Sequence, residues 1–259
     1  MNSMNIAIIQ ARTGSNRLPG KIMMEIEGKT MLEYMIERVS KSKKLDKIII
    51  ATTNKKNDDV IVSLAKKLNI DYFRGSEDDV LDRYYNASKK FNADIVVRLC
   101  SDSPLLDGKI VDNILEEYLS GDYDYVGNLS PSPRTFPDGL GVEVFSSELL
   151  NDAQLNAKKP SEREHVTFYM WMQPKKYKIH RVDYKNDSSK YRFNLDYAED
   201  YKFLKKIFEN FYKNNRNFDI ESVITWLEKN PEIFKINSMI QSNQGWLKSF
   251  DNDKKQGFE

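Results

Sequence analysis

Short apolar runs alternate with stretches of helical periodicity through the first 120 residues. Residues 6–10 (Ile6-Ala7-Ile8-Ile9-Gln10), 46–52, 70–74 and 94–99 are brief, rich in β-branched side chains and bounded by turn residues, which predicts strands. Between them, Met31, Leu32, Met35, Ile36 and Val39 share one face of a helix over 30–42. Residues 57–68, 77–92 and a segment opened by Asp107 and running to about 120 predict three more helices. This βαβαβαβα order is an α/β class pattern, an open and mostly parallel central sheet with helices on both faces. Such sheets bind ligands beyond the carboxyl ends of their strands, so the loops after residues 10, 52, 74 and 99 are the candidate sites.

The rhythm changes near residue 121. Strands are predicted at 123–126, 141–145 and 177–182, and helices at 161–172, 197–213 and 219–229. The run Ser130-Pro131-Ser132-Pro133-Arg134-Thr135-Phe136-Pro137 cannot be regular structure. It reads as a loop over a site rather than a linker. From about residue 251 the chain is polar and is expected to fray. The whole reads as one unit over 1–250 with a polar tail at 251–259.

Composition narrows the function classes. The 259 residues are 40% hydrophobic and 31% charged, which fits a globular enzyme or binding protein. With 40 Lys+Arg against 39 Asp+Glu, the formal net charge of +1 lacks the basic excess that bulk nucleic-acid binding requires. Cys100 stands alone, so no intrachain disulfide forms, and a reducing, cytoplasmic location is expected. No apolar stretch reaches the ~18 residues of a membrane span. Residues Met1 to Asn5 run straight into the first strand, so no signal peptide is expected.

The densest chemistry follows the first strand: Gln10-Ala11-Arg12-Thr13-Gly14-Ser15-Asn16-Arg17-Leu18-Pro19-Gly20-Lys21. Glycines admit close backbone approach to an anion, and Arg12, Arg17 and Lys21 supply fixed cations, so the loop reads as a phosphate cradle. It is not a Walker A loop, because five residues separate Gly14 from Gly20 and Ile22 follows Lys21. The dinucleotide pattern G-x-G-x-x-G is also absent. The bland alternative is an ordinary solvated βα loop.

Other segments offer carboxylates. Asp102, in Arg98-Leu99-Cys100-Ser101-Asp102-Ser103-Pro104, follows a central strand and is a candidate Mg²⁺ ligand, with a turn residue as the alternative. Asp107 reads as a helix N-cap. Asp196, where a strand hands over to a helix, is either a second metal ligand or an N-cap with Glu199 completing a capping box. Glu143 could face the site. Ser161 could cap a helix whose Glu162 and His165 stand three apart. A diiron bundle needs two such elements and two further glutamates, and only one is present. His165 therefore reads as a substrate contact or a structural histidine, and His180 as surface or core. Ser76 is a natural cap, with Glu77, Asp78 and Asp79 suiting the first turn of its helix.

Taken together, the segment Ile8 to Lys21, Phe73-Arg74-Gly75-Ser76-Glu77-Asp78-Asp79-Val80-Leu81-Asp82-Arg83-Tyr84, Arg98 to Leu106, Pro137-Asp138-Gly139, Glu162-Arg163-Glu164-His165-Val166-Thr167, Asn194-Leu195-Asp196 and Asn243-Gln244-Gly245-Trp246-Leu247-Lys248-Ser249 resemble the cytidylyltransferase-like family of surface-sugar enzymes. The resemblance is to the spore coat polysaccharide biosynthesis type, and more distantly to CMP-KDO and CMP-sialic acid synthetases. It spans nearly the whole chain. It implies a Rossmann-like nucleotidyltransferase fold and a Mg²⁺-dependent transfer of a nucleotide, most often from CTP, to a sugar acid or phosphorylated precursor with release of pyrophosphate. By the same resemblance, Lys21, Arg12 and Asp102 would be catalytic. Ala11, Arg12, Thr13, Gly14, Ser15, Arg17, Lys21 and Arg98 would hold the nucleotide, with Thr52, Thr53, Arg74, Gly75 and Ser76 near base and ribose. Asp102 and Asp196 would bind Mg²⁺, and Asp138, Gly139, Glu143, Glu164 and His165 would meet the acceptor. Residues 1–120 become a nucleotide-binding half and 121–235 an acceptor-binding and oligomerisation part, with a homodimer expected. The chain departs from the KDO and sialate enzymes at Gln10, where they often carry Pro, and at Ser101-Asp102-Ser103-Pro104, where they usually have Gly-Asp-Glu-Pro.

Three other readings compete. The same fold could use GTP, UTP or ATP with a sugar phosphate. A glycosyltransferase using a nucleotide sugar would want an Asp-x-Asp at a strand end, whereas Ser101-Asp102-Ser103 lacks the second Asp and Asp122-Tyr123-Asp124 precedes a strand. A non-catalytic nucleotide-binding protein would have little use for Arg12, Lys21, Asp102 and Asp196 together.

Overall fold

In the computed structural model, which describes residues 3–212, 217–242 and 244–258, one seven-stranded sheet organises the chain. Strand β1 (Asn5–Gln10) leads through a loop and a 3-10 turn at Lys21–Met23 to a small antiparallel hairpin, β2 (Glu25–Ile26) and β3 (Lys29–Thr30), and then α1 (Met31–Val39). There follow β4 (Lys47–Thr53), α2 (Asp59–Lys67), β5 (Asp71–Gly75), α3 (Val80–Phe91), β6 (Ile95–Cys100) and α4 (Gly108–Ser120). The second half contributes β7 (Tyr125–Gly127), β8 (Glu143–Ser146), α5 (Ser147–Asn156), α6 (Pro160–His165), α7 (Phe168–Trp171) and β9 (Ile179–Arg181). It closes with α8 (Ala198–Phe211), α9 (Ile220–Lys229), α10 (Pro231–Phe234) and α11 (Gln244–Lys255).

The order across the sheet is β5-β4-β1-β6-β8-β7-β9. Pairs β5/β4, β4/β1 and β1/β6 are parallel, as the alternating pattern requires, whereas β8 runs antiparallel to both β6 and β7. The four β1 residues Ile6, Ala7, Ile8 and Ile9 are fully buried, the unbroken apolar run of a strand covered on both faces. Because side chains alternate, Ala7 and Ile9 join the core under α1, α2, α4 and α8, while Ile6 and Ile8 join the one under α3, α5 and α7.

Local chemistry explains most helix starts. Thr30 and Glu33 form a reciprocal capping box at α1, and Asp107 caps α4 by accepting from the Ile110 amide at 3.0 Å, as the sequence predicts. Two expected caps are corrected. Asp79, not Ser76, caps α3, and Ser76 instead accepts from the Asp79 amide. At α6 the N-cap is Lys159; Ser161 lies inside the helix, because its amide and hydroxyl are both taken by the Asp253 carboxylate.

Two larger corrections concern the second half. The tail expected to fray from residue 251 is the end of α11, whose Asp253 is buried against Ser161 and whose Phe250 stacks on Phe168 at 5.0 Å. None of the Pro-rich loop's residues lines the cleft described below. The loop lies against residues 184–188, with the Tyr184 amide donating to Thr135 Oγ1 at 2.7 Å and the Ser188 amide to the Thr135 carbonyl at 2.8 Å. The predicted end of the 197–213 helix and the start of the Asn243 motif lie outside the described residues. No helix among the described residues is long and apolar enough to cross a membrane.

Candidate active site

A cleft of about 950 Å³ opens at the carboxyl ends of β1 and β6, where an α/β sheet places its ligands. Its floor is the loop after β1 and the residues Cys100, Ser101 and Asp102. Asp196 and Tyr197 enter from the start of α8, and α6 and α11 close the remaining side.

At the centre, Lys21 joins three parts of the chain. Its Nζ donates to Asp102 Oδ2 at 3.1 Å and to Asp196 Oδ1 at 2.8 Å. Burial alone would favour the neutral amine, but the two carboxylates outweigh it and hold the ammonium above its ordinary pKa. Burial likewise disfavours the Asp196 carboxylate, yet Lys21 and Arg17 draw its pKa down to about 2. Arg17 reaches Asp196 at 2.6 Å and lies 5.3 Å from the centre of the Tyr197 ring. Asp196 is therefore no N-cap. The acceptor that caps α8 is Asp200, which takes the amides of Asp196 at 2.9 Å and Tyr197 at 3.0 Å, so the Asp196 carboxylate is spent on Lys21, Arg17 and Arg192 rather than on the helix end.

The loop after β1 is held in shape from beneath. Asp58, buried just before α2, accepts from the Thr13 amide and hydroxyl, both at 2.7 Å, and from the Thr53 hydroxyl. Thr13 and Thr53 thus spend their donors inside the protein, and Thr52 is fully buried beside them. Arg74 is also committed, donating to the carbonyls of Thr53 and Lys55 and to Asp59. Gly75 pairs with Thr53 in the sheet. Thr13 and Gly14, expected in the grip on the nucleotide, and Thr52, Thr53, Arg74, Gly75 and Ser76, expected near base and ribose, do not line the cleft.

Arg98 and Glu143 are corrected in the same way. They form a buried ion pair below the cleft floor, where Glu143 also accepts from Tyr125 and Thr167 hydroxyls at 2.6 Å each, and Arg98 donates to Gln10 at 3.1 Å. Asp138 and Gly139 are structural as well. Asp138 binds Arg192, and Gly139 sits at φ +86° with its Cα so near the Asn194 backbone that a Cβ would lie 2.4 Å from the amide nitrogen. The expected residues that do converge on the cleft are Ala11, Arg12, Ser15, Arg17 and Lys21 on one side, Asp102 and Asp196 at the centre, and Glu164 and His165 opposite.

His165 is aimed by a strained turn. Val166 adopts φ +61°, ψ −60°, and the Thr167 amide donates to the His165 carbonyl at 2.6 Å, a γ-turn of the rare hand at a β-branched residue. The ring stacks on Phe168 at 4.4 Å and its Nε2 lies 2.8 Å from Ser249 Oγ, which donates to Glu164. Burial lowers the His165 pKa to about 4, keeping the imidazole neutral. A depressed pKa of this kind stabilises the fold fully above pH 6.5, and the contribution is lost as pH falls toward 4, because the unfolded chain then binds the extra proton. The expected loss between pH 7 and pH 4.5 is about 2–3 kcal/mol. Urea unfolding at the two pH values measures it, and His165→Gln should flatten that difference.

Sequence reasoning missed several cleft residues. Arg83, on α3, is buried and lines the cleft; its Nη1 donates to the Ser76 carbonyl at 2.7 Å, but its Nε has no hydrogen-bond partner. The entire α11 wall was missed too, although the spacing of Trp246, Phe250 and Asp253 marks a buried helical face. Cys100 reaches the floor, yet burial pushes its thiol up to about 12, which excludes it as a thiolate nucleophile. Among the described residues no group of three or more His, Cys, Asp or Glu side chains forms a metal cage. Asp102 and Asp196 are instead a two-carboxylate set converging on one cation.

Residues 6–250 match the cytidylyltransferase family model. The chain is 41% identical to the uncharacterized protein MJ1063 of Methanocaldococcus jannaschii, over 91% of this chain and 95% of that one. It is 31% identical to the spore coat polysaccharide biosynthesis protein SpsF of Bacillus subtilis, over 87% and 94%. Among solved structures, a cytidylyltransferase from Leptospira borgpetersenii superposes with a TM-score of 0.87 at 36% identity, covering 93% of this chain and all of that one.

Proposed function

The chain belongs to the cytidylyltransferase family, and from that premise we propose that it transfers CMP from CTP to a sugar acid or phosphorylated sugar precursor of a surface glycan, releasing pyrophosphate. An acceptor oxygen attacks the α-phosphorus, and the bond from that phosphorus to the β-phosphate oxygen breaks. The observation that carries this reading is the bridge from Lys21 to both Asp102 and Asp196 at the end of the phosphate loop.

Nucleotidyl transfer asks the protein chiefly for positioning and charge. Arg12 and Arg17 grip the outer phosphates, where the leaving pyrophosphate gathers charge. Lys21, already oriented by two carboxylates, meets the α-phosphate. The donor set of Asp102 and Asp196 fits Mg²⁺, which takes one or two carboxylates plus phosphate oxygens. When bound there, Mg²⁺ supplies positive charge to the phosphate oxygens. Asp102 is the more accessible of the pair and Asp196 the more fixed, through Arg17 and Arg192.

The test is pyrophosphate release with each nucleoside triphosphate against a panel of sugar acids and sugar phosphates. CTP is expected to support turnover with an acidic acceptor; release with another triphosphate alone would move the reading to that base. Asp102→Asn should lower kcat about 10²–10³-fold and raise the Mg²⁺ concentration needed for half-maximal rate. Its melting temperature should stay near that of the wild type, since the side chain borders solvent.

A further inference from the structure

The cleft's far wall has a construction of its own. One face of α11 is anchored. Asp253 takes the Ser161 amide and hydroxyl, and Ser249 meets both His165 and Glu164. Trp246 and Phe250 pack edge-on and stacked against Phe168 at 5.3 and 5.0 Å. At the helix start, Tyr197 donates to Gln244 at 2.8 Å, tying α11 to the residue beside Asp196. The opposite face, with Leu247, Lys248, Asp251, Asn252 and Lys255, is turned into the cleft.

That face carries two ammonium groups, with the Asp251 carboxylate between them. Neither Lys248 nor Lys255 forms an ion pair among the described residues, and Asp251, between them on the same face, forms none either. The cations suited to the triphosphate, Arg12, Arg17 and Lys21, come from the loop after β1 rather than from α11. At about 950 Å³ the cleft lies near the top of the ~300–1,000 Å³ range of small-ligand sites.

We infer that α11 is the acceptor wall, with Lys248 and Lys255 binding an anionic group of the acceptor, a carboxylate or a phosphate. This rests on the reading of the cleft as a nucleotidyltransferase site and adds the helix and the two cations that read the acceptor's anion. Asp251 and Asn252 offer hydrogen-bond acceptors for sugar hydroxyls beside that anion, and Leu247, 62% exposed, gives the sugar ring an apolar surface. The acceptor's anion and hydroxyls are therefore selected largely by α11.

The experiment is titration calorimetry of the full chain loaded with CTP, using inorganic phosphate and 3-deoxy-manno-octulosonate as separate probes. At least one is expected to bind saturably, and which one does identifies phosphate or carboxylate as the preferred group. The double variant Lys248→Gln, Lys255→Gln should weaken that binding at least tenfold and change CTP affinity less than twofold. The matching double Arg variant should retain it. Lys254→Gln, on the same helix but outside the cleft, should have no effect. Absence of binding by both probes, equal binding by the Gln variant, or a loss that falls on CTP instead would each overturn the inference. Failure of the wild type to bind any nucleoside triphosphate would overturn the proposed function itself, so the two failures are distinct.

Discussion

Replacing Lys21 with alanine is expected to lower kcat/KM for CTP by about a thousandfold while the chain still folds. Lys21 is 9% exposed and its ammonium is kept charged by two carboxylates, so it enters the reaction already oriented and with little water to shed. Groups arranged this way do most for a transition state, because no reorganisation is left to be done when charge develops on the phosphate. The variant keeps its fold because Asp196 retains Arg17 at 2.6 Å and Arg192 at 3.1 Å, while Asp102 can turn to solvent. A stability loss of about 1–3 kcal/mol is expected from the two broken bonds. Lys21→Arg should recover folding better than rate, since a planar guanidinium cannot reproduce the compact charge between two carboxylates. Steady-state pyrophosphate release beside thermal melts separates the two effects. A kcat/KM within tenfold of the wild type would remove Lys21 from the proposed role.

How much of this was legible in the sequence depends on what kind of interaction set each residue's place. The parallel half was legible because one physical rule governs it: β1 is buried on both faces and so reads as an unbroken apolar run, and its helices carry their apolar stripes at regular spacing. The phosphate loop was legible because Arg12, Arg17 and Lys21 are dense in the chain itself. Asp102 and Asp196 could be named but not joined, since 94 positions separate them and only the fold brings both to one ammonium. The residues misassigned to the site share a different cause. Thr13, Thr53, Arg98, Asp138 and Glu143 are polar groups near strand ends, and a sequence cannot tell a polar group facing a ligand from one consumed by a buried partner. Asp58 consumes the two threonines, Arg98 and Glu143 consume each other, and Arg192 takes Asp138. The α11 wall was hidden by the polarity of residues 251–255. That polarity belongs to a cleft-facing surface on one side and to a buried Asp253–Ser161 contact on the other, and neither resembles an ordinary amphipathic stripe.

Arg192 governs the second large effect, on stability. Its guanidinium donates to Asp138 at 3.0 Å, to Asp196 at 3.1 Å and to both oxygens of Asp200 at 2.9 and 3.0 Å, with 6% of the side chain exposed. Asn237 closes the arrangement by donating to Asp200 at 2.9 Å and to the Arg192 carbonyl at 3.0 Å. Burial opposes the charge on Arg192, and the surrounding carboxylates more than offset it, raising its pKa. Arg192→Met removes the cation, leaving the buried Asp200 with no ion-pair partner among the described residues and Asp138 with Arg134 at 3.6 Å, while Asp196 keeps Lys21 and Arg17. A loss of this kind costs about 3–5 kcal/mol, a large part of the ~5–15 kcal/mol that holds a domain folded. The expected result is a melting temperature lowered by about 10 °C. Arg192→Lys should be nearly as damaging, because one ammonium cannot span three carboxylates with a fixed fork. Asp138→Asn should cost much less, as it removes one charge and leaves Asp196 and Asp200 paired. Activity should follow stability in the arginine variants, because Arg192 fixes Asp196 from behind while Lys21 and Arg17 hold it from the cleft. A melting temperature within 2–3 °C of the wild type for Arg192→Met would show that the three carboxylates are neutralised by something other than Arg192.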